Sequence, residues 1–394
     1  DAAELIDAEH LVEDVHHHFL GNHDFSNLPR KFKITISGCA AYCTGHEIND
    51  IGLIAVRRPD ARVAFDLWVG GGLGAKEHFA RRLGVHIFPE EVVEVCHHIT
   101  AIFRDHGNRE FRTRARLKFL MAEWGPERFR TELESRLGRS LVSGDAPHIP
   151  VLDNRAHLGT HAQRQRGLFY IGAASKGGLF SGTQMLQVAR AARLSGSDRI
   201  RLTTAQNLVV LDVPEKSCLK LEQILGEIGL QVRPSPFRTG TIACTGKQFC
   251  KLAVTETKDR AAEIIAHLEE VLPEFNEPLR ISVTGCPNSC AHYQICDIGL
   301  VGDLIRTPEG KVDAFRIYLG GHLGDGYSFG RELKTKVRAE YVRFYIEQLI
   351  RVYLEKRVGT ESFQAFIARH EAQDLEHLVV IEQLTELLTA AEAA

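Results

Sequence analysis

The sequence contains no apolar run of the length that crosses a membrane. None of its hydrophobic segments approaches the roughly 18–20 residues that a membrane-spanning helix needs, so we expect no transmembrane helix. Residues 1–22 are acidic and amphipathic, and they lack the basic start and apolar core of a signal peptide. These absences predict a globular protein of the cytoplasm.

An excess of charge of one sign is also missing. The 48 basic residues nearly balance the 51 acidic residues and leave a net charge of −3, which argues against a general nucleic-acid-binding protein. The nine cysteines are an odd number in a chain of 394 residues without an export signal. That count argues against a disulfide framework and indicates a reducing compartment with metal-binding or buried thiols.

The chain contains an internal duplication. Residues 33–58 (KITISGCAAYCTGHEINDIGLIAVRR) align without a gap with residues 280–305 (RISVTGCPNSCAHYQICDIGLVGDLI), which places Cys39 on Cys286 and Cys43 on Cys290. Further along, residues 68–74 (WVGGGLG) match residues 318–324 (YLGGHLG). Two matched blocks in the same order predict two copies of one domain, with a ligand at the interface of the copies.

Each copy shows strand alternation before its Gly-Cys turn and helical periodicity after its glycine-rich turn. Outside the small unit described next, helices are predicted at 91–103, 258–272 and 339–354. Between the copies, strands at 168–173, 200–202 and 208–213 and helices at 182–194 and 219–228 follow a ferredoxin-like α+β order. We therefore predict a first copy (1–140), a linker (141–164), a ferredoxin-like unit (165–235) and a second copy (236–394).

Four cysteines lie in two tight pairs. Cys244 and Cys250 form a C-x5-C pair, and Cys286 and Cys290 form a C-x3-C pair. Four thiolates brought together by turns suit a [4Fe–4S] cluster, which needs four soft ligands. The alternatives are a zinc site, whose usual ligand spacing fits the C-x5-C pair less well, and four buried thiols. The first copy keeps only Cys39 and Cys43, which we interpret as remnants that are buried or line a cavity.

A basic strand precedes the Gly-Cys turn of the first copy. Its sequence LPRKFKITIS (28–37) alternates, so Phe32, Ile34 and Ile36 are predicted to face the core. Lys31 and Lys33 then share the polar face, where two cations in register suit a small anion. The alternative is a solvated edge strand, because lysines on sheet edges discourage strand pairing. We favour the anion site, since the counterpart of this strand continues into the C-x3-C turn.

Together these motifs resemble those of the sirohaem-dependent sulfite and nitrite reductases over essentially the whole chain. The resemblance rests on residues 28–33 (LPRKFK), 46–50 (HEIND), 68–73 (WVGGGL), 116–119 (RLKF), 203–207 (TTAQN), 243–250 (ACTGKQFC) and 284–290 (TGCPNSC). It implies an α+β fold with duplicated sulfite reductase-type α/β domains and one intervening ferredoxin-like domain. It also implies a [4Fe–4S] cluster and sirohaem as cofactors.

The resemblance assigns roles to individual residues. It implies that Cys244, Cys250, Cys286 and Cys290 bind the cluster and that Cys290 also bridges to the sirohaem iron. Cofactor binding is implied for Arg30, Lys118, Gly71, Gly72, Gln206 and Asn207, with Arg30 and Lys118 on the carboxylates of sirohaem. Lys31 and Lys33 would neutralise the oxygens of the substrate and help to deliver protons. They would face a cavity that Cys290 approaches from the opposite side.

The chain departs from the family pattern at its start. In the family, a ferredoxin-like domain that supplies arginines for substrate and sirohaem precedes the LPRKFK strand, whereas only some 27 residues precede it here. We therefore expect either a fragment of a longer chain or a pocket that is open on one side.

The predicted reaction is the six-electron reduction of sulfite to sulfide. Ferredoxin is the expected electron donor, because the sequence has no Rossmann fingerprint or flavin-domain pattern. Lysine at position 33 resembles the sulfite-type members, whereas many ferredoxin-nitrite reductases carry asparagine there, and a second cation suits a dianion better than a monoanion. The alternatives are ferredoxin-nitrite reductase, precorrin-3B synthase and a non-catalytic cluster-binding fragment.

Overall fold

The computed structural model of the protein describes residues 4–39, 43–145, 156–308 and 310–379. The chain divides into two compact units, Ala2–Asp153 and Asn154–Ala394. Within the described ranges, no helix is both long enough and apolar enough to cross a membrane.

The first unit contains a mixed five-stranded sheet. Its strands are β1 (Ile34–Ser37), β2 (Ile51–Arg57), β3 (Val63–Val69), β4 (Arg81–Ile87) and β5 (Val142–Ser143), in that order across the sheet. Its helices are α1 (Glu9–Phe19), α2 (Val92–His106) and α3 (Leu117–Leu137). β1 is parallel to β2, and the remaining neighbours are antiparallel. α3 bends at Gly125, whose φ of 74° is not helical, directly before Pro126.

Apolar side chains explain how this sheet is covered. β2 and β3 are buried almost throughout, and their near-continuous apolar sequence is typical of strands that are covered on both faces. Phe32, Ile34 and Ile36 pack against the same core, as the alternation predicted. The Phe32 ring stacks on Phe103 of α2 at 5.5 Å between centroids. The regular strand begins only at Ile34, however, so Lys31 and Lys33 lie just before it.

The second unit begins with a four-stranded antiparallel sheet. The strands of this sheet are β6 (Gly159–Ala162), β7 (Leu168–Ala173), β8 (Ile200–Leu202) and β9 (Leu208–Pro214), in the order β6-β7-β9-β8. Two helices accompany them, α4 (Gly182–Leu194) and α5 (Cys218–Glu227). The predicted bounds of β7, α4 and β8 are confirmed. β6 falls in the stretch predicted as a linker, so this part of the prediction is wrong. The strand is short and polar (GTHA) and lacks apolar alternation. Residues 146–155 of the predicted linker lie outside the described residues.

The remainder of the second unit contains another five-stranded sheet. Its elements are α6 (Pro236–Gly240), β10 (Thr241–Ala243), α7 (Lys258–Val271), β11 (Ile281–Thr284), β12 (Ile298–Thr307), β13 (Gly310–Leu319), β14 (Arg331–Arg338), α8 (Val342–Lys356), α9 (Phe363–Ala368) and α10 (Ala372–Glu376). The strands follow one another in the order β10-β11-β12-β13-β14. β10, β11 and β12 are parallel, and the last two pairs are antiparallel.

The duplication is visible in the hydrogen bonds. β1 pairs with β2 from Ile34↔Ile51, and β11 pairs with β12 from the corresponding Ile281↔Ile298. The duplicated region extends further upstream than the sequence alignment indicated. The Leu5 N–H donates to the Gly38 carbonyl at 2.8 Å, and the Val254 N–H donates to the corresponding Gly285 carbonyl at 2.8 Å. α1 therefore corresponds to α7, just as α2 corresponds to α8.

Candidate functional site

The C-x5-C and C-x3-C motifs meet at one edge of the second unit. β10 and β11 are parallel neighbours, and Cys244 and Gly285 directly follow their ends. The Cys244 N–H donates to the Val283 carbonyl at 3.0 Å. The Gly285 N–H donates to Cys244 Sγ at 3.2 Å, which places the thiol beside the residue that precedes Cys286. This arrangement brings the two motifs together, as their spacing predicted.

The loop after Cys250 is pinned to the same glycine. The Ala253 N–H donates to the Cys250 carbonyl at 3.2 Å, and the Val254 N–H donates to the Gly285 carbonyl at 2.8 Å. A Cβ on Gly285 would lie 2.9 Å from the Ala253 Cβ, so this close approach needs a glycine. The loop therefore holds the backbone of Cys250 near the second motif.

The four cysteines differ in their access to solvent. Cys286 is buried, Cys244 and Cys250 are half-buried, and Cys290 is exposed. In the parts of the chain that the structure describes, no three His, Cys, Asp or Glu side chains are arranged to hold a single metal ion. In a [4Fe–4S] cluster each thiolate binds a different iron, so the sulfurs need not converge on one point. Four thiols, one of them accepting a backbone N–H, fit such a cluster in chemistry.

Gln206 and Asn207 lie on a turn of the ferredoxin-like unit, and their surroundings differ. Gln206 Nε2 donates to the Ala243 carbonyl at 2.8 Å, and Gln206 Oε1 accepts from the Ala243 N–H at 3.3 Å. Gln206 therefore reaches the residue before Cys244. Asn207 is 3% exposed, and its Nδ2 has no hydrogen-bond partner among the residues that the structure describes. A buried unsatisfied donor of this kind fits a polar group of a bound cofactor.

The basic strand of the first unit is anchored at Lys33. The Lys33 N–H donates to Asp50 Oδ2 at 3.0 Å, and the Lys33 carbonyl accepts from the Ile51 N–H at 3.1 Å. Lys33 is half-buried and Lys31 is exposed. Arg30 Nη1 donates to the Arg112 carbonyl at 2.7 Å. These bonds fix the backbone of the strand, while the Lys31 side chain faces solvent in this unit.

Lys118 is a buried cation that binds the glycine-rich turn. It is 3% exposed, and its Nζ donates to the carbonyls of Gly72 at 3.2 Å and Leu73 at 3.1 Å, and also to that of Lys76. Burial, followed by the nearby positive charge of Arg116, lowers the pKa of Lys118 to about 8. Three carbonyl oxygens on one ammonium hold the turn in place.

The glycine-rich turns use their own N–H groups internally. Gly70, Gly71 and Gly72 donate to the carbonyls of Asp50, Asn49 and His78, each at 2.9 Å. In the second copy, Gly320 and Gly321 donate to the carbonyls of Asp297 and Cys296. These amides are therefore already engaged by carbonyl groups of the protein. Contact between a cofactor and Gly71 or Gly72 stays a prediction.

One ion pair of the first unit was not assigned from the sequence. Arg116 Nη2 donates to Asp50 Oδ2 at 2.8 Å, and its Nε donates to Asp50 Oδ1 at 3.3 Å. Burial raises the pKa of Asp50, and Arg116 opposes this shift. Asp50 thus joins the Lys33 backbone to Arg116. The sequence signal that could have identified Asp50 was the repeated Asp-Ile-Gly-Leu, which aligns Asp50 with Asp297.

Cys39 and Cys43 contact each other in the first unit. A hydrogen bond between the Cys39 and Cys43 side chains raises the pKa of Cys43 well above its usual value. Cys39 Sγ also lies 3.6 Å from Ser37 Oγ. The interpretation of this pair as a remnant of the duplication stays a prediction.

Comparison with known proteins agrees with this arrangement. The family described as "Nitrite and sulphite reductase 4Fe-4S domain" matches residues 1–141 and 237–386. The family described as "Nitrite/Sulfite reductase ferredoxin-like half domain" matches residues 161–228. The chain belongs to the nitrite and sulfite reductase family of oxidoreductases. Membership confirms the expected α+β fold and the two expected cofactors, a [4Fe–4S] cluster and sirohaem.

Individual relatives bear both substrate names. The chain is 40% identical to "Sulfite reductase [ferredoxin]" of Mycobacterium tuberculosis, over 94% of this chain and 68% of the relative. It is 34% identical to "Ferredoxin--nitrite reductase" of Synechococcus elongatus, over 89% of this chain and 69% of that relative. The solved "Structure of Mycobacterium tuberculosis NirA protein" matches with a TM-score of 0.90 and 40% identity, over 95% of this chain and 69% of that one.

Proposed function

We propose that this protein reduces sulfite to sulfide in the cytoplasm with electrons from a ferredoxin. The proposal is supported by relatives named ferredoxin-dependent sulfite reductase that are 40% identical over 94% of the chain. The reaction combines one sulfite dianion with six electrons and eight protons, and it yields one hydrogen sulfide and three water molecules. The cluster and the sirohaem supply one-electron chemistry when they are bound. The chain must hold the anion and provide protons.

Lys33 is the residue on which the choice of substrate depends. Its backbone N–H is tied to Asp50, and Asp50 is held by Arg116. Phe32 and Ile34 pack on the core, and side chains of an extended segment alternate between faces, so the Lys33 side chain leaves the opposite face. A cation at this fixed position favours a dianion over a monoanion.

The two lysines have complementary tasks in this proposal. Lys31 and Lys33 neutralise the oxygens of sulfite, and their ammonium groups donate hydrogen bonds to oxygens that leave as water. Each ammonium group is also a proton donor that solvent can recharge, as successive protonations require. The exposed position of Lys31 suits that exchange.

The cofactor contacts complete the proposal. Cys244, Cys250, Cys286 and Cys290 would hold the cluster, and Cys290 would also be a ligand of the sirohaem. Asn207 would offer its unsatisfied Nδ2 to sirohaem, Arg30 would bind a carboxylate, and Gly71 and Gly72 would contribute further contacts to the cofactor. Lys118 and Gln206 support the cofactors through the turn at residues 72–76 and through Ala243.

Cysteine variants test the cluster ligands. We expect Cys286→Ser to lower the iron and acid-labile sulfide content and to bleach the visible absorption of the cluster. Cys296→Ser is the matched control, because Cys296 is also buried but belongs to neither cysteine pair, and it donates to the His292 carbonyl at 3.5 Å. Full iron content in Cys286→Ser, or equal losses in both variants, would refute the assignment.

Nitrite reduction to ammonia is the second candidate, because relatives named ferredoxin-nitrite reductase are also similar. The deciding experiment uses the full natural protein loaded with both cofactors and a chemically reduced ferredoxin. Sulfide and ammonia formation are measured over a range of sulfite and nitrite concentrations. A higher kcat/KM for sulfite supports the proposal, and a strong preference for nitrite replaces it with the alternative. A loaded protein that reduces neither anion refutes both.

A further inference from the structure

Lys258 is an unusual first residue for helix α7. It is 9% exposed, and burial lowers its pKa. The amino end of a helix favours negative charge, so a cation there is disfavoured a second time. In the duplicated copy, the corresponding helix α1 begins with Glu9. A buried lysine at this point therefore needs specific partners to keep its charge.

The partners of the Lys258 ammonium are neutral groups of the ferredoxin-like unit. Its Nζ donates to the Gly177 carbonyl at 2.7 Å and to Gln206 Oε1 at 2.9 Å. These two oxygens accept hydrogen bonds from the ammonium group without placing a negative charge beside it. The nearby Glu256 accepts from the backbone N–H of Lys258 at 3.0 Å and caps the helix.

Gln206 and the residue before Lys258 also contact the segment that contains Cys244. Gln206 is bonded to both the N–H and the carbonyl of Ala243, the residue before Cys244. Thr257, the residue before Lys258, donates from Oγ1 to the Cys244 carbonyl at 2.7 Å and lies 3.7 Å from Cys244 Sγ. Cys244 also acts on Lys258 electrostatically and opposes the lowering of its pKa.

We propose that Lys258 is a positioning residue for the [4Fe–4S] cluster, and that its buried ammonium, held by Gly177 and Gln206, raises the reduction potential of the cluster through Cys244. The inference rests on the proposed ligand role of Cys244. Reduction adds one negative charge to the cluster, so a fixed positive charge nearby stabilises the reduced form more than the oxidised form. The ferredoxin-like unit thereby sets how readily the cluster accepts an electron.

The expected size of this effect follows from Coulomb's law with an assumed separation. At an effective dielectric constant of about 20 and a separation of about 10 Å, one unit charge changes such an equilibrium by about tenfold. Removing the charge should therefore lower the ratio of reduced to oxidised cluster about tenfold at a fixed potential, or shift the midpoint of a one-electron couple by about 59 mV to more negative values.

The test is a redox titration of the loaded full chain, followed by the electron paramagnetic resonance of the reduced cluster. Lys258→Met removes the charge and keeps the length, whereas Lys258→Arg keeps the charge. Lys247→Met is the matched control, because Lys247 lies in the C-x5-C loop but is 44% exposed and paired with Asp313 at 2.7 Å. Solvent and Asp313 screen its charge, so we expect less than a twofold change.

The outcomes separate tuning from mere support of the fold. A negative shift in Lys258→Met, with a near-normal potential in Lys258→Arg and Lys247→Met, supports the proposal. An intact cluster with an unchanged potential in Lys258→Met overturns it, and so does an equal shift in Lys247→Met.

If Lys258→Met does not retain its cluster, a second variant tests the proposal. Gln206→Glu places a carboxylate against the Lys258 ammonium and should shift the potential in the same negative direction, and an unchanged potential there overturns the proposal. Failure of the ligand assignment is recognised separately, because Cys244→Ser would then keep its full iron content.

Discussion

Arg116 and Asp50 form a buried ion pair, with Arg116 Nη2 2.8 Å from Asp50 Oδ2 and side chains that are 8% and 0% exposed. The same carboxylate accepts the backbone N–H of Lys33, so the pair connects the proposed substrate strand to the start of α3. The Asp50 carbonyl in turn accepts the N–H of Gly70 at 2.9 Å. One aspartate therefore holds the basic strand, the glycine-rich turn and the arginine together.

Breaking this pair from one side should destabilise the protein strongly. We expect Arg116→Met to lower the free energy of unfolding by about 3–5 kcal/mol, because it leaves a buried carboxylate unpaired. The double variant Asp50→Asn/Arg116→Met should cost less than the sum of the single variants. Urea unfolding measures these values. Arg62→Met is the control, because Arg62 pairs with Glu90 at 3.5 Å in an exposed contact and should cost at most about 1 kcal/mol. Additive costs at Asp50 and Arg116 would contradict the prediction.

Replacing Lys33 by Asn should change the choice of substrate. At an effective dielectric constant of about 20 and a separation of about 4 Å, each unit charge pair contributes about 4 kcal/mol before desolvation. Desolvation of the lysine offsets much of this, so we expect sulfite to lose about 1–2 kcal/mol more than nitrite, or about ten- to thirtyfold in relative kcat/KM.

The measurement compares sulfide and ammonia formation by the loaded full protein at one pH and one salt concentration. Lys216→Asn, on the ferredoxin-like unit, should leave the ratio of the two efficiencies unchanged. If Lys33→Asn lowers both efficiencies by the same factor, Lys33 is a general pocket residue and does not select sulfite.

The glycine-rich turn should reject a methyl group at Gly71. A Cβ there would meet the Glu47 carbonyl oxygen and lie 2.8 Å from the Asn49 carbonyl oxygen. We expect Gly71→Ala to cost about 1–3 kcal/mol in thermal or urea unfolding, because backbone must move to make room. Gly226→Ala in α5 meets nothing within 4 Å and should stabilise the protein by about 0.4–1 kcal/mol. Equal effects of the two substitutions would contradict this account.

A histidine contact between α1 and α2 should make the first unit sensitive to acid. His18 Nε2 and His97 Nδ1 lie 2.9 Å apart. Burial, followed by His98 and His18, lowers the pKa of His97 below its ordinary value of 6.5. A base with a lowered pKa binds fewer protons in the folded state than in the unfolded state. Its contribution to stability is therefore present above pH 6.5 and is lost as the pH falls below that value.

Thermal unfolding at about pH 7.5 and pH 5.5 measures this loss. We expect the wild type to lose up to about 1 kcal/mol more than His97→Gln between the two conditions, since solvent screens this partly exposed ring. His10→Gln, near the start of α1, should behave like the wild type. A steeper loss in His97→Gln than in the wild type would show that the sign is wrong.

Local sequence patterns were sufficient to predict much of the fold. The bounds of β7, α4 and β8 were predicted because each element carries its own apolar pattern between clear turn residues. In the structure, a Ser181–Gln184 capping box forms at the start of α4. The sequence also predicted that the two cysteine motifs meet, because two tight pairs of thiols together supply the four soft ligands of a [4Fe–4S] cluster. β6 has no such pattern, and its pairing with β7 depends on the neighbouring chain.

Contacts over long separations could not be predicted in this way. Lys118 binds carbonyls that lie more than 40 residues earlier, and Gln206 reaches Ala243 across 37 residues. The local periodicity of the sequence does not predict either contact, because each depends on how entire helices, strands and turns pack together. The resemblance to a family identified these residues as important, but their partners became known only from the fold.

The two copies share several hydrogen bonds that are made by the backbone alone. Ala80 and Gly330 donate to the carbonyls of Glu47 and Gln294 at 2.7 Å each, at corresponding points of the repeat. Bonds of this kind survive most substitutions, so after the ancestral gene doubled, mutation could alter the side chains of either half without unmaking its scaffold. The two halves therefore differ in their side chains on one shared architecture: Lys31 and Lys33 lie in the first, and the C-x5-C pair lies in the second.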